Sequence, residues 1–150
     1  MISVIQRVQN ASVYIDDKKY SAIEQGLLIL LGIGNEDQQE DISWLIKKIC
    51  NLRIFSDEEG KMNLSVKDIG GNLLVVSQFT LLASAKKGNR PSFIQAAPPQ
   101  VAVPLYEAFI KEASLEMGKP VQTGEFGADM QINLLNDGPV TIIIDTKNKQ

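Results

Sequence analysis

Met130-Gln131-Ile132-Asn133-Leu134-Leu135-Asn136-Asp137-Gly138-Pro139-Val140-Thr141-Ile142-Ile143-Ile144 is the stretch whose reading decides the fold. Two runs of strand composition flank four turn formers, Asn136 to Pro139. On composition alone the tetrapeptide is a hairpin turn. Proline, however, cannot donate to a sheet ladder and belongs at edges, turns or bulges. X-Pro is also the one bond whose cis form is inexpensive, at roughly 0.5–1 kcal/mol. A fixed Gly138-Pro139 unit would aim two backbone carbonyls in a set direction. The choice bears on function because the chain has no histidine. Its chemistry must lean on backbone groups, hydroxyls or the substrate itself.

Upstream of this stretch the chain alternates strands with two helices. Ser3 to Val8 and Ala11 to Ile15 read as strands, Asp16-Asp17-Lys18 as a hairpin turn, and Tyr20 to Ile23 as the returning strand. Gly26 to Ile33 is continuously apolar, which predicts a strand covered on both faces. Ile42, Leu45, Ile46 and Ile49 fall on one helical face, with Asp37 as the expected cap and Glu40 and Asp41 in the first turn. Trp44 lies off that face, either packed under a loop or as an interface anchor. Arg53 to Phe55 reads as a short strand, and Asn72 to Leu82 as a second buried one. A helix is predicted from Pro98-Pro99 to about Met117, closed by Gly118 and Pro120. Strands follow near Val121, over Asp129 to Leu135 and over Val140 to Asp145. The pattern predicts one α+β domain over residues 1–150, a curved or barrel-like sheet covered by two main helices.

Composition narrows the function classes. The chain is 150 residues long, 44% hydrophobic and 22% charged, with net charge −3. Such a balance argues against a broad basic surface for DNA, though not against a small patch reading one end of an RNA. Cys50 is the single cysteine. It has no disulfide partner and, without histidine, too few companions for a soft metal site. No apolar run approaches a membrane span and no signal segment is read, so the expectation is a cytoplasmic protein without membrane contact, metal or cofactor.

Four groups carry candidate chemistry. Ser77-Gln78-Phe79-Thr80 ends a buried strand with two hydroxyls and an amide, either as a site or as caps for backbone groups. Thr80 as a nucleophile would need a base that the sequence does not name. Gly138-Pro139 is a turn or a carbonyl device. Lys86, Lys87 and Arg90, followed by Phe93, form a loop that is either solvated or able to meet phosphate and stack a base. Arg7 sits among strand residues, and faces solvent or finds partners such as backbone carbonyls.

Together these segments resemble the bacterial-type D-aminoacyl-tRNA deacylases, also called D-tyrosyl-tRNA(Tyr) deacylases. The resemblance runs over nearly the whole chain. It includes Ile5-Gln6-Arg7-Val8, Arg53-Ile54-Phe55-Ser56-Asp57, Val76-Ser77-Gln78-Phe79-Thr80-Leu81, Arg90-Pro91-Ser92-Phe93, Ala128-Asp129-Met130-Gln131 and Asn136-Asp137-Gly138-Pro139-Val140-Thr141. It implies a hydrolase of the ester of D-aminoacyl-tRNA, and of glycyl-tRNA where the pocket admits it. It further implies a homodimer with shared sites, in which a cis Gly138-Pro139 of one subunit reaches the other's pocket and excludes L side chains. Arg7 would hold that motif, and Met130 would lie at the selection site. Ser77, Gln78, Phe79 and Thr80 would receive the terminal adenosine and ester, and Lys86, Lys87, Arg90 and Phe93 the tRNA end. Gly127 departs from the alanine frequent in this family. The rival readings are a Thr80-dependent hydrolase of another ester and a non-catalytic RNA-end binder.

Overall fold

The computed structural model describes residues 1–149. β1 (Ile2–Ile15) is the spine. Asp16 and Asp17, with φ of 50° and 62°, turn the chain into β2 (Lys18–Ile23). β2 pairs antiparallel with the far half of β1, and β3 (Gly26–Gly32) with the near half. α1 (Gln39–Asn51), the small hairpin of β4 (Phe55–Ser56) and β5 (Met62–Leu64), and then β6 (Asn72–Ser77) follow. α2 (Pro99–Met117) leads to β7 (Gln122–Thr123), and β8 (Gln131–Asp145) ends the sheet. Both helices are crossovers between parallel neighbours, since β3, β6 and β7 lie side by side in that order.

The sheet curls until its ends nearly meet: Ser21 Oγ in β2 donates to Thr123 O in β7 at 2.6 Å. Curling creates two apolar cores. Leu27, Ile29, Leu31, Leu73 and Val75 face the helices, where Phe109, Ile42, Leu45 and Ile49 cover them. Leu28, Leu74 and Val76 point inward, against Val8, Ala11, Val13 and Ile23. Alternate residues of β3 and β6 thus serve opposite cores, and this is why both strands read as unbroken apolar runs.

Several boundaries differ from the sequence reading. The two expected strands at the N-terminus are one, because β8 and the β2–β3 return supply partners along all of it. The expected strand to Leu82 stops at Ser77, and Phe79–Leu82 is a 3₁₀ turn. The short strand lies at Phe55–Ser56 rather than Arg53 to Phe55. Asp37 does not cap α1, for its carboxylate is already taken: Oδ1 pairs with the Met1 amino group at 2.5 Å, and Oδ2 accepts from Gly34 N–H at 2.7 Å. Asp41 does the capping work instead, with Oδ2 accepting from Gln38 N–H at 2.9 Å.

The main correction concerns the opening stretch. Asn136 to Pro139 is not a hairpin turn. β8 is one strand running antiparallel to β1 from Ile2↔Asp145 to Tyr14↔Gln131. Its ladder is interrupted only where Val8 pairs with Asn136 and Gln6 with Thr141, so that Asp137, Gly138, Pro139 and Val140 stand opposite Arg7 alone. The motif is a wide bulge pushed out of a long strand.

Asp41 gives the fold a pH signature. Burial opposes its ionisation, but hydrogen bonds from Thr146, Gln38 and Lys147 outweigh burial and lower its pKa from 3.8 to about 2. A carboxylate depressed in the folded state stabilises above its unfolded value and loses that contribution as pH falls through the folded one. Asp41→Asn is therefore expected to cost about 1 kcal/mol at neutral pH, and to flatten the loss of stability between pH 3.8 and about 2. Denaturant melts across that range check it, and an unchanged slope would contradict the assignment.

Candidate active site

β6 delivers the polar strand end. Gln78 N–H still reaches across to Leu31 O at 2.8 Å, and the chain then tightens into the 3₁₀ turn, with Leu81 N–H on Gln78 O at 3.2 Å. The first N–H groups of such a turn have no partner within it. Among the described residues, no protein acceptor meets the N–H of Phe79 or Thr80. The Gln78 side-chain amide donates to Thr80 Oγ1. The Thr80 hydroxyl therefore accepts from an amide rather than giving its proton to a base, a poor arrangement for a nucleophile.

Behind this strand end lies a cleft of ≈ 320 Å³, with Ser77, Gln78 and Phe79 on one side and Phe126 to Met130 on the other. Leu31, Ile33 and Val76 make its apolar floor. α2 fixes the far wall: Tyr106 donates its hydroxyl to Val75 O at 2.9 Å and packs its ring 5.8 Å from Phe126. Gly127 sits in a turn at φ 80°, with open space where a Cβ would stand. Its glycine thus answers a backbone demand, as an alanine there would adopt a left-handed conformation.

The basic loop is anchored to the same place. Ser84 and Ser92 exchange N–H···O bonds of 2.8 Å each, closing the loop that exposes Lys86, Lys87 and Arg90. Phe93, just beyond, meets Phe79 edge-on at 5.1 Å. Ser77, Gln78, Phe79 and Met130 thus line one cleft, with Thr80 and Phe93 next to Phe79 and three cations on a loop above it.

Arg7 and Gly138-Pro139 form a second group that does not line that cleft. Arg7 is 9% exposed. Its Nε donates to Asp137 O at 2.8 Å and its Nη1 to Ile54 O at 2.7 Å. Asn136 closes the neck of the bulge, with Oδ1 accepting from Val140 N–H at 2.9 Å and Nδ2 donating to Thr141 Oγ1 at 3.1 Å. The Gly138–Pro139 peptide is cis and Gly138 has φ 144°. A Cβ on Gly138 would stand 2.8 Å from Val140 Cγ2 and 3.0 Å from Arg7 Nη2, so the guanidinium packs where a side chain would be. Both tip residues are exposed.

The sequence reading missed Asn136 as the latch, Ile54 as the second anchor, and Phe126 and Asp129 as cleft walls. Asn136 was visible in the motif; a backbone carbonyl such as that of Ile54 leaves no mark on a sequence. Burial pushes the Cys50 thiol up to about 12, so no thiolate is available at neutral pH. The described residues contain no group of three or more histidine, cysteine or acidic side chains placed to hold a metal, and no helix long and apolar enough to cross a membrane.

Comparison with known proteins gives one answer. A family model described as D-Tyr-tRNA(Tyr) deacylase matches residues 4–145. A Cytophaga hutchinsonii protein named D-aminoacyl-tRNA deacylase is 63% identical over 150 residues, covering 100% of each chain. One of the same name from Parabacteroides distasonis is also 63% identical over the full length of both. Among solved structures, one described as c-Myc DNA Unwinding Element Binding Protein superposes with TM-score 0.92 at 42% identity, covering 97% of this chain and 98% of that one. Another, described as a probable eukaryotic D-amino acid tRNA deacylase, shares the fold with TM-score 0.80 at 18% identity, over 95% and 97% of the two chains. Sequence, cleft and fold agree: the chain belongs to the D-Tyr-tRNA(Tyr) deacylase family.

Proposed function

We propose that this protein hydrolyses the ester of D-aminoacyl-tRNA, releasing tRNA and the free D-amino acid, and that it does so as a cytoplasmic homodimer. The observation that carries the reading is the separation of the two motifs. The strand-end cleft and the Gly138-Pro139 bulge lie apart within one chain, yet each suits half of one task. A second copy brings them together. The outer edge of β8 has no strand partner among the described residues, and Leu134 and Leu135 beside the bulge are 38% and 50% exposed. An unpaired edge carrying apolar side chains favours association.

In this reading the terminal adenosine enters beside Phe79, and the loop cations Lys86, Lys87 and Arg90 meet the phosphates behind it. The free N–H groups of Phe79 and Thr80 receive the oxyanion that develops as water attacks the ester carbonyl. The 2′-hydroxyl of the terminal ribose, rather than a protein side chain, assists that water. Gly138 and Pro139 of the other subunit present their carbonyl oxygens to the α-amino group and occupy the side where an L side chain would project. A D side chain points away, and glycine, with none, is also admitted. Rejection by backbone excludes a whole stereochemical class without reading any one side chain. Arg7 acts as a positioning residue, since it touches the bulge and not the substrate. The rival Thr80-dependent hydrolase fits less well, because the hydroxyl is engaged by Gln78 and no base stands beside it.

Three outcomes are expected. Incubation with D- and L-tyrosyl-tRNA should show hydrolysis of the D form alone, and equal cleavage of both, or of neither, would sink the proposal. Thr80→Val should keep kcat within about tenfold, whereas loss of a nucleophile costs several orders of magnitude more. Arg7→Met leaves two carbonyls short of a donor, worth about 1–3 kcal/mol each. It should lower the melting temperature and narrow the D-over-L ratio, and Arg7→Lys should recover part of that ratio. An unchanged ratio in Arg7→Met would remove Arg7 from chiral selection.

A further inference from the structure

We infer that the C-terminal end of α1 carries a second RNA contact, in which Lys47, Lys48 and Arg53, grouped around Trp44, bind the sugar-phosphate backbone of the tRNA. The identity of the RNA rests on the deacylase reading above; the surface stands on its own geometry. Trp44 is half-buried and flanks a cleft of ≈ 380 Å³ shared with Lys47, Lys48, Asn51, Leu52 and Arg53. Lys48 Nζ lies 5.7 Å from the centre of the indole, and Lys149 Nζ, from the C-terminal segment, 4.6 Å.

These cations come from different parts of the chain. Lys47 and Lys48 belong to the last turns of α1, where the helix dipole favours positive charge. The dipole does not account for Arg53, which follows the helix, or for Lys149, which arrives from the far end of the chain. Arg53 is held in place by donating Nε to Asn63 O at 3.0 Å, with a further bond to Asn63 Oδ1. Among the described residues none of the four is ion-paired, whereas Lys61, Lys67 and Lys147 each meet a carboxylate. The chain has 18 acidic against 15 basic side chains. Four cations gathered round one indole with no acid paired to them are therefore a local reversal of its charge. Regularly spaced phosphates with stackable bases complement such a surface.

The location fits an RNA whose end lies at the active site. Ile54, next to Arg53, gives its carbonyl to Arg7 at 2.7 Å, and Arg7 holds Asp137 O at 2.8 Å. The cationic surface thus borders the base of the Gly138-Pro139 bulge. An RNA whose aminoacyl end meets that bulge would carry its following phosphates along this end of α1.

The test compares wild type with Lys47→Ala/Lys48→Ala and with Lys48→Glu, all exposed positions whose folding a thermal melt verifies. Fluorescence anisotropy with uncharged tRNA over a salt series should show affinity weakened about tenfold in the double variant. The slope of log affinity against log salt should fall by about 2, one contact for each lysine lost. KM for D-tyrosyl-tRNA should rise in proportion at constant kcat. KM for D-tyrosyl-adenosine, which lacks the phosphate backbone, should move by less than about twofold. Wild-type affinity and slope for uncharged tRNA in both variants would overturn the surface. A wild type that deacylates neither substrate would instead overturn the deacylase reading, and the anisotropy series would still decide the surface.

Discussion

The forked grip of Arg7 on Asp137 O and Ile54 O is the interaction on which the rest of the candidate site depends. Without it, a bulge of four residues opposite one would have no internal reason to keep its shape, since its tip is exposed and its ladder bonds are broken. A buried guanidinium is costly unless its donors are used. Here the cost is offset by two carbonyls that are themselves in need of donors, one from the bulge and one from the linker after α1. The same contact ties β8 to the linker between α1 and β4, so the position of the bulge is set by the helical layer and not by the strand alone.

This constraint explains how a chain without histidine can be selective. Side-chain acid–base chemistry is replaced by rigid backbone: free N–H groups at the end of β6 and carbonyls at the tip of the bulge. Both devices need a scaffold that does not yield. The two apolar cores on either side of β3 and β6 supply it, with Phe109, Leu27 and Ile29 sealed on one side and Leu28, Leu74 and Val76 on the other.

Much of this was legible in the residues. The apolar run at Gly26 to Ile33 and the helix from Pro99 to Met117 were readable because their signals are local: continuous burial, a proline start and a glycine stop. The bulge was not. Asn-Asp-Gly-Pro has the same composition whether it reverses a chain or interrupts a strand, and what decides is a partner more than a hundred residues away, the continuous β1. The turn at Phe79–Leu82 was hidden for a related reason, because apolar residues at the end of a strand look the same whether they extend it or fold over its end. Asp37 was misread as a cap because its true partner, the Met1 amino group, is a feature of the fold and not of the neighbourhood. The site motifs themselves were quoted correctly from the sequence, but their division between two places in the chain became visible only in three dimensions.

The central claim is that one working site takes its cleft from one subunit and its bulge from another. Subunit complementation tests it most directly. Gln78→Ala disables the cleft, and Gly138→Val forces a side chain against Val140 and Arg7 in the bulge. Each variant alone should be inactive on D-tyrosyl-tRNA. Differently tagged copies, co-expressed and purified as the mixed dimer, contain one site built from an intact cleft and the other subunit's intact bulge. The account predicts recovery of about half the wild-type dimer's turnover, one working site of two. No recovery in a verified mixed dimer would show that cleft and bulge serve the same chain, and would contradict the shared site.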